Sequence, residues 1–253
     1  MNYLKGVYWD LDGTIANTEL EAHLPAFNAA FEDFNLNWKW DKLTYINLLK
    51  INGGKNRIIY YSKVKNYKLP NYLAGDIHKR KQYYYFKNIE KNTVTLKTGV
   101  KRLVSELYLK NVKQFIVTSS SKKQVELLLD YLFKDFKPFE FIISSDDVEF
   151  HKPNPLPYLK AINLSGLKKN ESIVIEDSNS GIKSSLAAGL PTIYIPSNIP
   201  TVIDKKINLD CIIDTLGDGI KMSKIRKGPK LEGNYIDFAF LNKFLMVTNH
   251  AKD

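Results

Sequence analysis

Short apolar runs that alternate with helical patterns are the feature that most restricts the fold of this chain. Apolar residues recur between the runs at the spacing of one helix face, as in Val125, Leu128, Leu129 and Leu132. Such an alternation is typical of a parallel sheet whose strands are joined by crossover helices. The sequence therefore predicts an α/β protein with a doubly wound parallel sheet. The apolar runs are residues 4–9, 114–117, 139–143, 172–175 and 192–195.

The gap between the first two runs is far longer than one crossover helix needs. Residues 17–93 fill this gap, and several of their apolar side chains share a helical face, namely Leu20, Leu24, Phe27, Phe31 and Phe34. We therefore predict a catalytic core formed by residues 1–16 and 94–253, with a helical domain of residues 17–93 inserted into it. Near the C-terminus, the Lys- and Gly-rich residues 222–233 predict a surface loop.

Composition and charge argue against several classes of protein. No apolar run approaches the roughly 20 residues that span a bilayer, and the first residues carry no signal-peptide pattern. Cys211 is the only cysteine, which excludes an intrachain disulfide and favours a reducing compartment. The net charge of +10 comes from scattered lysines, without a basic block interleaved with aromatics. The excess positive charge either lies on an ordinary solvated surface or creates a field that attracts an anionic substrate.

We accordingly expect a monomer that binds neither nucleic acid nor a membrane. Its predicted location is the cytoplasm, or the plastid stroma in a eukaryote, although no transit peptide is visible.

Carboxyl groups follow two of the predicted strands, at the edge where parallel sheets bind ligands. Asp10 and Asp12 come directly after the first run, and Glu176 and Asp177 come after the fourth. The first pair alone could be a strand end followed by an Asx turn. Together, the two pairs supply the oxygen ligands that a hard cation prefers. The sequence predicts a Mg²⁺ site made by Asp10, Asp12 (through its backbone carbonyl), Glu176 and Asp177.

Hydroxyl groups and a lysine follow the other two strands. Ser119, Ser120 and Ser121 lie between the second run and a predicted helix, where hydroxyl and N–H groups can bind phosphate. A serine run in that place is also a common N-cap. Lys152 follows the third run and stands next to a proline, which also occurs in ordinary loops. The four groups in this order indicate phosphoryl transfer.

Phosphoryl transfer gives these residues distinct predicted roles. Asp10 attacks phosphorus and forms an aspartyl-phosphate, while Mg²⁺ screens the repulsion between this carboxylate and the phosphate. Asp12 protonates the leaving alkoxide and later deprotonates water, and burial near other carboxylates would raise its pKa for that purpose. Ser119 and Lys152 donate to the equatorial oxygens, where negative charge lies in the transition state.

These motifs resemble those of the haloacid-dehalogenase (HAD) superfamily of phosphohydrolases, over residues 4–196. In that family the first aspartate is the nucleophile and the second, two residues later, is the acid/base of phosphatases and phosphomutases. An insertion after the first motif implies a mobile helical cap that closes over the substrate. The inserted segment is similar to that of the CbbY-type xylulose-1,5-bisphosphate phosphatases (the CbbY/CbbZ/Gph/YieH-like group) in Asn17-Thr18-Glu19, Trp38-Lys39-Trp40 and Gly53-Gly54-Lys55-Asn56-Arg57.

The resemblance implies a Mg²⁺-dependent phosphatase that hydrolyses a phosphorylated sugar, foremost xylulose 1,5-bisphosphate, a misfire product that inhibits carbon fixation. It implies that Glu19 accepts hydrogen bonds from sugar hydroxyls and that Lys55 and Arg57 bind a second phosphate. The same residues could instead form a Gly-rich turn with solvated charges. The implied substrate-binding residues of the insertion are Glu19, Gly53, Gly54, Lys55, Asn56 and Arg57.

Three other functions remain open at this point. A β-phosphoglucomutase-like sugar phosphomutase would share the nucleophile, the acid/base and the insertion. A non-catalytic binding protein would need a missing nucleophile or metal ligand, and all of them are present. A basic nucleic-acid binder would need a denser cationic patch. His23 is expected either to touch the substrate or to be an ordinary packed residue.

Overall fold

The strands form a single sheet in the computed structural model, which describes residues 3–51, 53–91, 94–199 and 203–250. The strands within these residues are β1 (Gly6–Trp9), β2 (Lys113–Val117), β3 (Phe141–Ile143), β4 (Ser172–Glu176), β5 (Thr192–Tyr194), β6 (Cys211–Ile213) and β7 (Ile225–Lys227). Their order is β3-β2-β1-β4-β5-β6-β7, and neighbours are parallel except for the antiparallel pair β6 and β7. The predicted α/β fold with a mostly parallel sheet is confirmed.

The centre of the sheet shows why the apolar runs are continuous. β1 lies between β2 and β4, and all of its residues are buried. The ring of Tyr8 stacks on Phe115 of β2 with 5.1 Å between centroids. Helices cover both faces of a parallel sheet, so its central strands need apolar side chains at every position.

β7 corrects the prediction of a surface loop over residues 222–233. This strand pairs with β6 at the edge of the sheet, and its three residues are half-buried or exposed. An edge strand with the sequence Ile-Arg-Lys buries little apolar surface. It therefore lacks the pattern by which a buried strand is recognised.

The helices of the described residues fill the connections that the alternation predicts. In chain order they are α1 (Leu24–Asp33), α2 (Lys42–Leu48), α3 (Gly54–Val64), α4 (Asn71–Glu90), α5 (Val100–Leu109), α6 (Lys122–Phe133), α7 (Leu156–Ser165), α8 (Asn179–Ala187) and α9 (Phe238–His250). A π-helical turn, Glu19–His23, precedes α1, and Ser145–Asp147 and Lys169–Glu171 form 3₁₀ turns. None of the described helices is long and apolar enough to cross a membrane.

The chain divides into two units. Unit 1 comprises Met1–Asn17 and Leu96–Asp253, and unit 2 comprises Thr18–Thr95. The sequence predicts the divisions at 16/17 and 93/94, and Thr93 itself lies outside the described residues. The role of unit 2 as a cap stays a prediction.

Each unit has its own apolar core. In unit 1, side chains of β1, β2 and β4 pack with Tyr158 and Ala161 of α7. Unit 2 has an aromatic core in which the ring centroids of Phe27 and Trp40 are 4.6 Å apart, with Trp38 and Tyr45 packed in the same cluster. Large aromatic side chains supply much of the apolar area that a helical unit of this size can bury.

Candidate active site

Three carboxyl groups meet where β1 and β4 end. Asp10 directly follows β1, Glu176 is the last residue of β4, and Asp177 comes next. Each offers an oxygen, and these oxygens lie within 4.8 Å of one another. All three residues are buried. We call Asp10, Glu176 and Asp177 the acid cluster, and its close-packed oxygen donors fit a hard divalent cation.

Lys152 binds the acid cluster from within the core. Its Nζ donates to Asp10 Oδ1 at 2.8 Å, to Glu176 Oε1 at 2.6 Å and to the carbonyl of Val117 at 2.7 Å. The residue is only 5% exposed. Burial alone would lower the pKa of the ammonium, but Asp10 and Glu176 more than offset that effect and raise it above its ordinary value. Lys152 is therefore a permanent cation between two carboxyl groups.

Both oxygens of Glu176 accept hydrogen bonds. Tyr158 donates its hydroxyl proton to Oε1 at 2.8 Å, while the Asp177 N–H and the Ser178 hydroxyl donate to Oε2 at 3.1 and 3.2 Å. At Gly181 a side chain would overlap the Glu176 carboxylate, so a glycine is required there. Ser178 is the N-cap of α8 and accepts from the Gly181 N–H. Glu176 is thus fixed in a position that orients Lys152.

The acid cluster changes the ionisation of its own members. Burial, followed by the charge of Glu176, raises the pKa of Asp10 to about 7, although Lys152 opposes the shift. Burial, followed by the charges of Asp10 and Glu176, raises the pKa of Asp177 well above its ordinary value. Carboxyl groups in such a site release their protons when a cation binds. The cluster therefore has the electrostatic character of a cation site.

Asp12 lies in the tight turn that follows β1. Ser120 donates its hydroxyl proton to Asp12 Oδ2 at 2.6 Å, which fixes one side of the carboxyl group. Gly13 has φ of +88°, a conformation that favours glycine, and a side chain there would overlap the Asp177 carboxylate. The turn therefore brings Asp12 close to the acid cluster.

The three serines of the run differ in their hydrogen bonds. Ser120 binds Asp12, and Ser121 caps α6 by a reciprocal bond to Gln124. The Lys122 N–H donates to Asp146 Oδ2 at 2.9 Å, so this amide of the helix start is already engaged. Ser119 is exposed and donates to none of the described side chains. Of the three hydroxyls, that of Ser119 is the one left for a ligand, and its phosphate contact stays a prediction.

Lys97 is a second, half-buried cation at this edge, and it lies outside the sequence motifs. Its Nζ donates to the carbonyls of Gly13 and Pro196 at 2.5 and 2.9 Å. Burial lowers the pKa of the ammonium to about 8, although the charges of Asp177 and Asp10 oppose the shift. The residue belongs to no strand end and no recognisable motif, so the sequence pattern contains no indication of it.

The predicted ligands of unit 2 occupy two places within that unit. Glu19 lies in the π-helical turn and accepts a hydrogen bond from the Tyr45 hydroxyl. Gly53, with φ of +85°, is the N-cap of α3, and Gly54, Lys55, Asn56 and Arg57 form its first turn. Lys55 and Asn56 are exposed, and Arg57 Nε donates to the Ile51 carbonyl at 2.9 Å. The N–H groups and positive dipole of a helix start favour anions.

Further positive charge surrounds His78 on α4. A side chain at Gly54 would overlap its ring, and the basic side chains that act on it are those of Lys81, His23, Arg57 and Lys55. Burial, followed by these charges, lowers the pKa of His78 to about 4. Lys81 is 4% exposed, and its Nζ lies 2.6 Å from His23 Nδ1. We call Lys55, Arg57, His78, Lys81 and His23 the basic cluster.

One prediction for this region can be compared with the structure. His23 is buried and stacks on Tyr85 with 4.4 Å between ring centroids, as expected of a packed histidine. His78 and Lys81 were missed because a helix as rich in lysine and tyrosine as α4 is typical of a solvated surface. The tertiary contacts with α3 and the π-helical turn are what give them a shared environment.

Known proteins are similar to this chain over most of its length. The sequence profile described as "Haloacid dehalogenase-like hydrolase" matches residues 7–195. CbbY encoded on a plasmid of Cupriavidus necator is 32% identical over 202 residues, which are 77% of this chain and 79% of that protein. CbbY of Rhodobacter capsulatus is 34% identical over 198 residues, or 77% and 86% of the two chains.

A solved structure is also similar to this chain. It is a CbbY mutant from Rhodobacter sphaeroides in complex with xylulose-(1,5)bisphosphate, with a TM-score of 0.76 and 27% sequence identity. The similarity covers 84% of this chain and 94% of the other.

Proposed function

The chain belongs to the haloacid dehalogenase-like hydrolase family, and we propose that this phosphatase removes one phosphoryl group from a sugar bisphosphate through an aspartyl-phosphate. The observation that carries the proposal is the bridge from Lys152 to Asp10 and Glu176, beside Asp177. A buried carboxylate oriented by a permanent cation at a sheet edge is suited to attack on phosphorus. The first substrate to test is xylulose 1,5-bisphosphate, the ligand of the similar CbbY structure.

In the first step, an oxygen of Asp10 attacks phosphorus, and the bond between phosphorus and the sugar oxygen breaks. Lys152 holds Oδ1 of Asp10, which fixes the direction of the carboxylate. Its positive charge also lies where the phosphoryl oxygens gain negative charge. Ser119 supplies a further hydroxyl donor for those oxygens.

Asp12 moves the protons of both steps. It gives a proton to the departing sugar oxygen, and it then takes one from the water that attacks the aspartyl-phosphate and releases inorganic phosphate. The bond from Ser120 to Oδ2 holds the carboxyl group in one orientation through both transfers. Asp12 can serve both transfers because it loses its proton in the first step and regains one in the second.

Mg²⁺ is the cofactor that fits this site. The residues that would hold it are Asp10, Asp177, the backbone carbonyl of Asp12 and, through its fixed carboxylate, Glu176. When bound, Mg²⁺ would screen the repulsion between the Asp10 carboxylate and the phosphate oxygens. Because Glu176 already accepts from Lys152, Tyr158 and Ser178, its main contribution is to keep that lysine in place.

The basic cluster of unit 2 supports a bisphosphate as the substrate class. The start of α3 offers backbone N–H groups, and Lys55 and Arg57 extend from its first turn. Phosphate groups are bound well by a lysine point charge and an arginine fork near a helix N-terminus. A sugar with a second phosphate would engage these groups, whereas a monophosphate would leave them without a ligand.

The experiment is a phosphate-release assay with Mg²⁺ on a panel of sugar mono- and bisphosphates. We expect Asp10→Asn to lower kcat by about 10⁴-fold or more, since an amide cannot form the covalent intermediate. Asp135→Asn, an exposed aspartate of the same unit, is the matched control and should turn over normally. Full activity of Asp10→Asn would disprove the mechanism. An isomerised sugar phosphate in place of inorganic phosphate would indicate a phosphomutase.

A further inference from the structure

Lys97 reaches the candidate site from outside its motifs. It precedes α5, and its backbone N–H donates to the Ile15 carbonyl at 2.9 Å, so the segment is paired to the chain that leaves the Asp12 turn. From there the side chain enters the edge where Asp10 and Asp177 lie. Lys97 is half-buried, and withdrawal of its ammonium from water is costly unless its charge and its donors are satisfied. The groups that satisfy this ammonium therefore indicate its role.

The two carbonyls that Lys97 binds belong to different parts of the site. Gly13 is the residue after Asp12, and its carbonyl accepts from Lys97 Nζ at 2.5 Å. Pro196 follows the strand β5, accepts at 2.9 Å, and is adjacent to Ser197, whose side chain hydrogen-bonds Asp177. One ammonium therefore joins the turn of the acid/base residue to the loop that supports a member of the acid cluster.

We propose that Lys97 is a positioning residue of the phosphatase site, which fixes the Asp12–Gly13 turn and supplies, with Lys152, the positive charge that holds the carboxyl groups together. The inference rests on the proposed function. It adds a residue that the family motifs in this sequence do not include. Its charge acts on Asp10 and Asp177 through space, whereas its hydrogen bonds act on Gly13 and Pro196 directly.

The two actions of Lys97 have opposite consequences for metal binding and turnover. Its positive charge opposes a divalent cation in the acid cluster, so removal of the charge should tighten Mg²⁺ binding. Its hydrogen bonds hold the turn that carries Asp12, so removal should slow proton transfer even when substrate is saturating. General loss of packing would instead weaken metal binding and turnover together.

The experiment uses Lys97→Met, which keeps the length of the side chain but removes the charge and the donors. Mg²⁺ affinity is measured by calorimetry without substrate, and kcat and KM by phosphate release at saturating Mg²⁺. We expect kcat to fall about 10- to 100-fold, KM to change less than about 3-fold, and the Kd for Mg²⁺ to fall at least about 3-fold. Lys97→Arg keeps the charge and donors and should restore kcat to within about 5-fold of wild type.

Two further variants complete the test. Lys97→Gln, which can still donate but carries no charge, should also tighten Mg²⁺ binding, and it replaces the methionine variant if that protein does not fold. Lys101→Met, an exposed lysine on α5, should leave Mg²⁺ affinity and kcat unchanged.

The outcomes separate this inference from the proposed function. Weaker Mg²⁺ binding in proportion to lower kcat, or no change in either, overturns the positioning role of Lys97 while the phosphatase activity of the wild type stands. A wild-type protein that neither binds Mg²⁺ nor releases phosphate overturns the proposed function, and the inference with it.

Discussion

The acid cluster of unit 1 and the basic cluster of unit 2 compensate their charges in different ways. Asp10 and Glu176 share the ammonium of Lys152, so opposite charges alternate over short distances inside the chain. In the basic cluster, burial and then the neighbouring basic side chains lower the pKa of His78, so this histidine stays neutral near pH 7. The acid cluster with Lys152 therefore already contains charges of both signs, whereas the basic cluster is stabilised most by a bound anion.

This difference suggests a division of labour between the clusters. Preorganised charges that match each other lower the barrier of a chemical step, because no reorganisation is needed during reaction. A surplus of one sign instead provides affinity for a ligand of the other sign. We therefore expect changes in the acid cluster to act on kcat and changes in the basic cluster to act on KM. Variants in each cluster test that separation.

After Asp10→Asn, the largest expected effect is that of Lys152→Met. Loss of the ammonium leaves Asp10 and Glu176 without their shared partner and removes a charge from the phosphoryl site, so kcat should fall about 10³-fold. The measurement is phosphate release at saturating substrate, with Lys113→Met, an exposed lysine of β2, as the control. A decrease of less than about tenfold would contradict the role given to Lys152.

Stability has to be followed in the same variant. Breaking a buried ion pair by removal of one partner costs about 3–5 kcal/mol of unfolding free energy, which circular dichroism with urea would reveal.

Tyr158→Phe provides a milder variant, since it removes one donor to Glu176 and leaves Lys152 in place. We expect it to lower kcat by about 3- to 10-fold, in line with about 1 kcal/mol for one hydrogen bond.

The sequence predicts unit 1 well because its strands are buried on both faces. β1, β2, β4 and β5 consist almost entirely of buried residues, and each contributes an apolar run. The edge pair β6 and β7 is short, and β7 carries Arg and Lys. Its pairing depends on a neighbour that only the folded chain provides. Local composition therefore predicts the centre of the sheet and its apolar edge strand β3, but not the edge formed by β6 and β7.

The site divides in a similar way. Asp10, Lys152 and Asp177 could be predicted because parallel strands bring their carboxyl ends to one edge. Lys97 could not, since it reaches that edge through side-chain bonds to two carbonyls far away in the sequence. Nor could the bond from Tyr158 to Glu176, because a tyrosine on the buried face of a helix is indistinguishable in sequence from a core residue.

The next effect, on stability, tests the electrostatics of the basic cluster through His78. An unfolded histidine takes up a proton near pH 6.5, whereas the folded His78, with its pKa lowered to about 4, does not until that pH is reached. The unfolded state therefore binds more protons between these values, and stability falls as the pH is lowered through them. Relative to His78→Gln, wild type should lose about 2 kcal/mol between about pH 7.5 and pH 5.

Urea denaturation of both proteins over this pH range provides the measurement. Taking the difference between wild type and His78→Gln cancels the titration of Asp10 and Asp177, which occurs in both. A difference that does not change with pH would show that burial and the neighbouring cations do not lower the pKa of His78. A titration of the His78 ring followed by NMR reports the same pKa directly.

The last variant distinguishes the two clusters by substrate. Lys55 is exposed at the start of α3, so Lys55→Ala removes one cation from an anion site without disturbing the core. We expect KM for a sugar bisphosphate to rise about tenfold, or about 1.4 kcal/mol, with little change for a monophosphate or in kcat. Lys63→Ala, an exposed lysine in the last turn of the same helix, is the matched control because the helix dipole is reversed there. Equal effects on mono- and bisphosphate, or an effect on kcat instead of KM, would mean that the basic cluster does not bind a second phosphate, and the division between chemistry in unit 1 and anion recognition in unit 2 would fail.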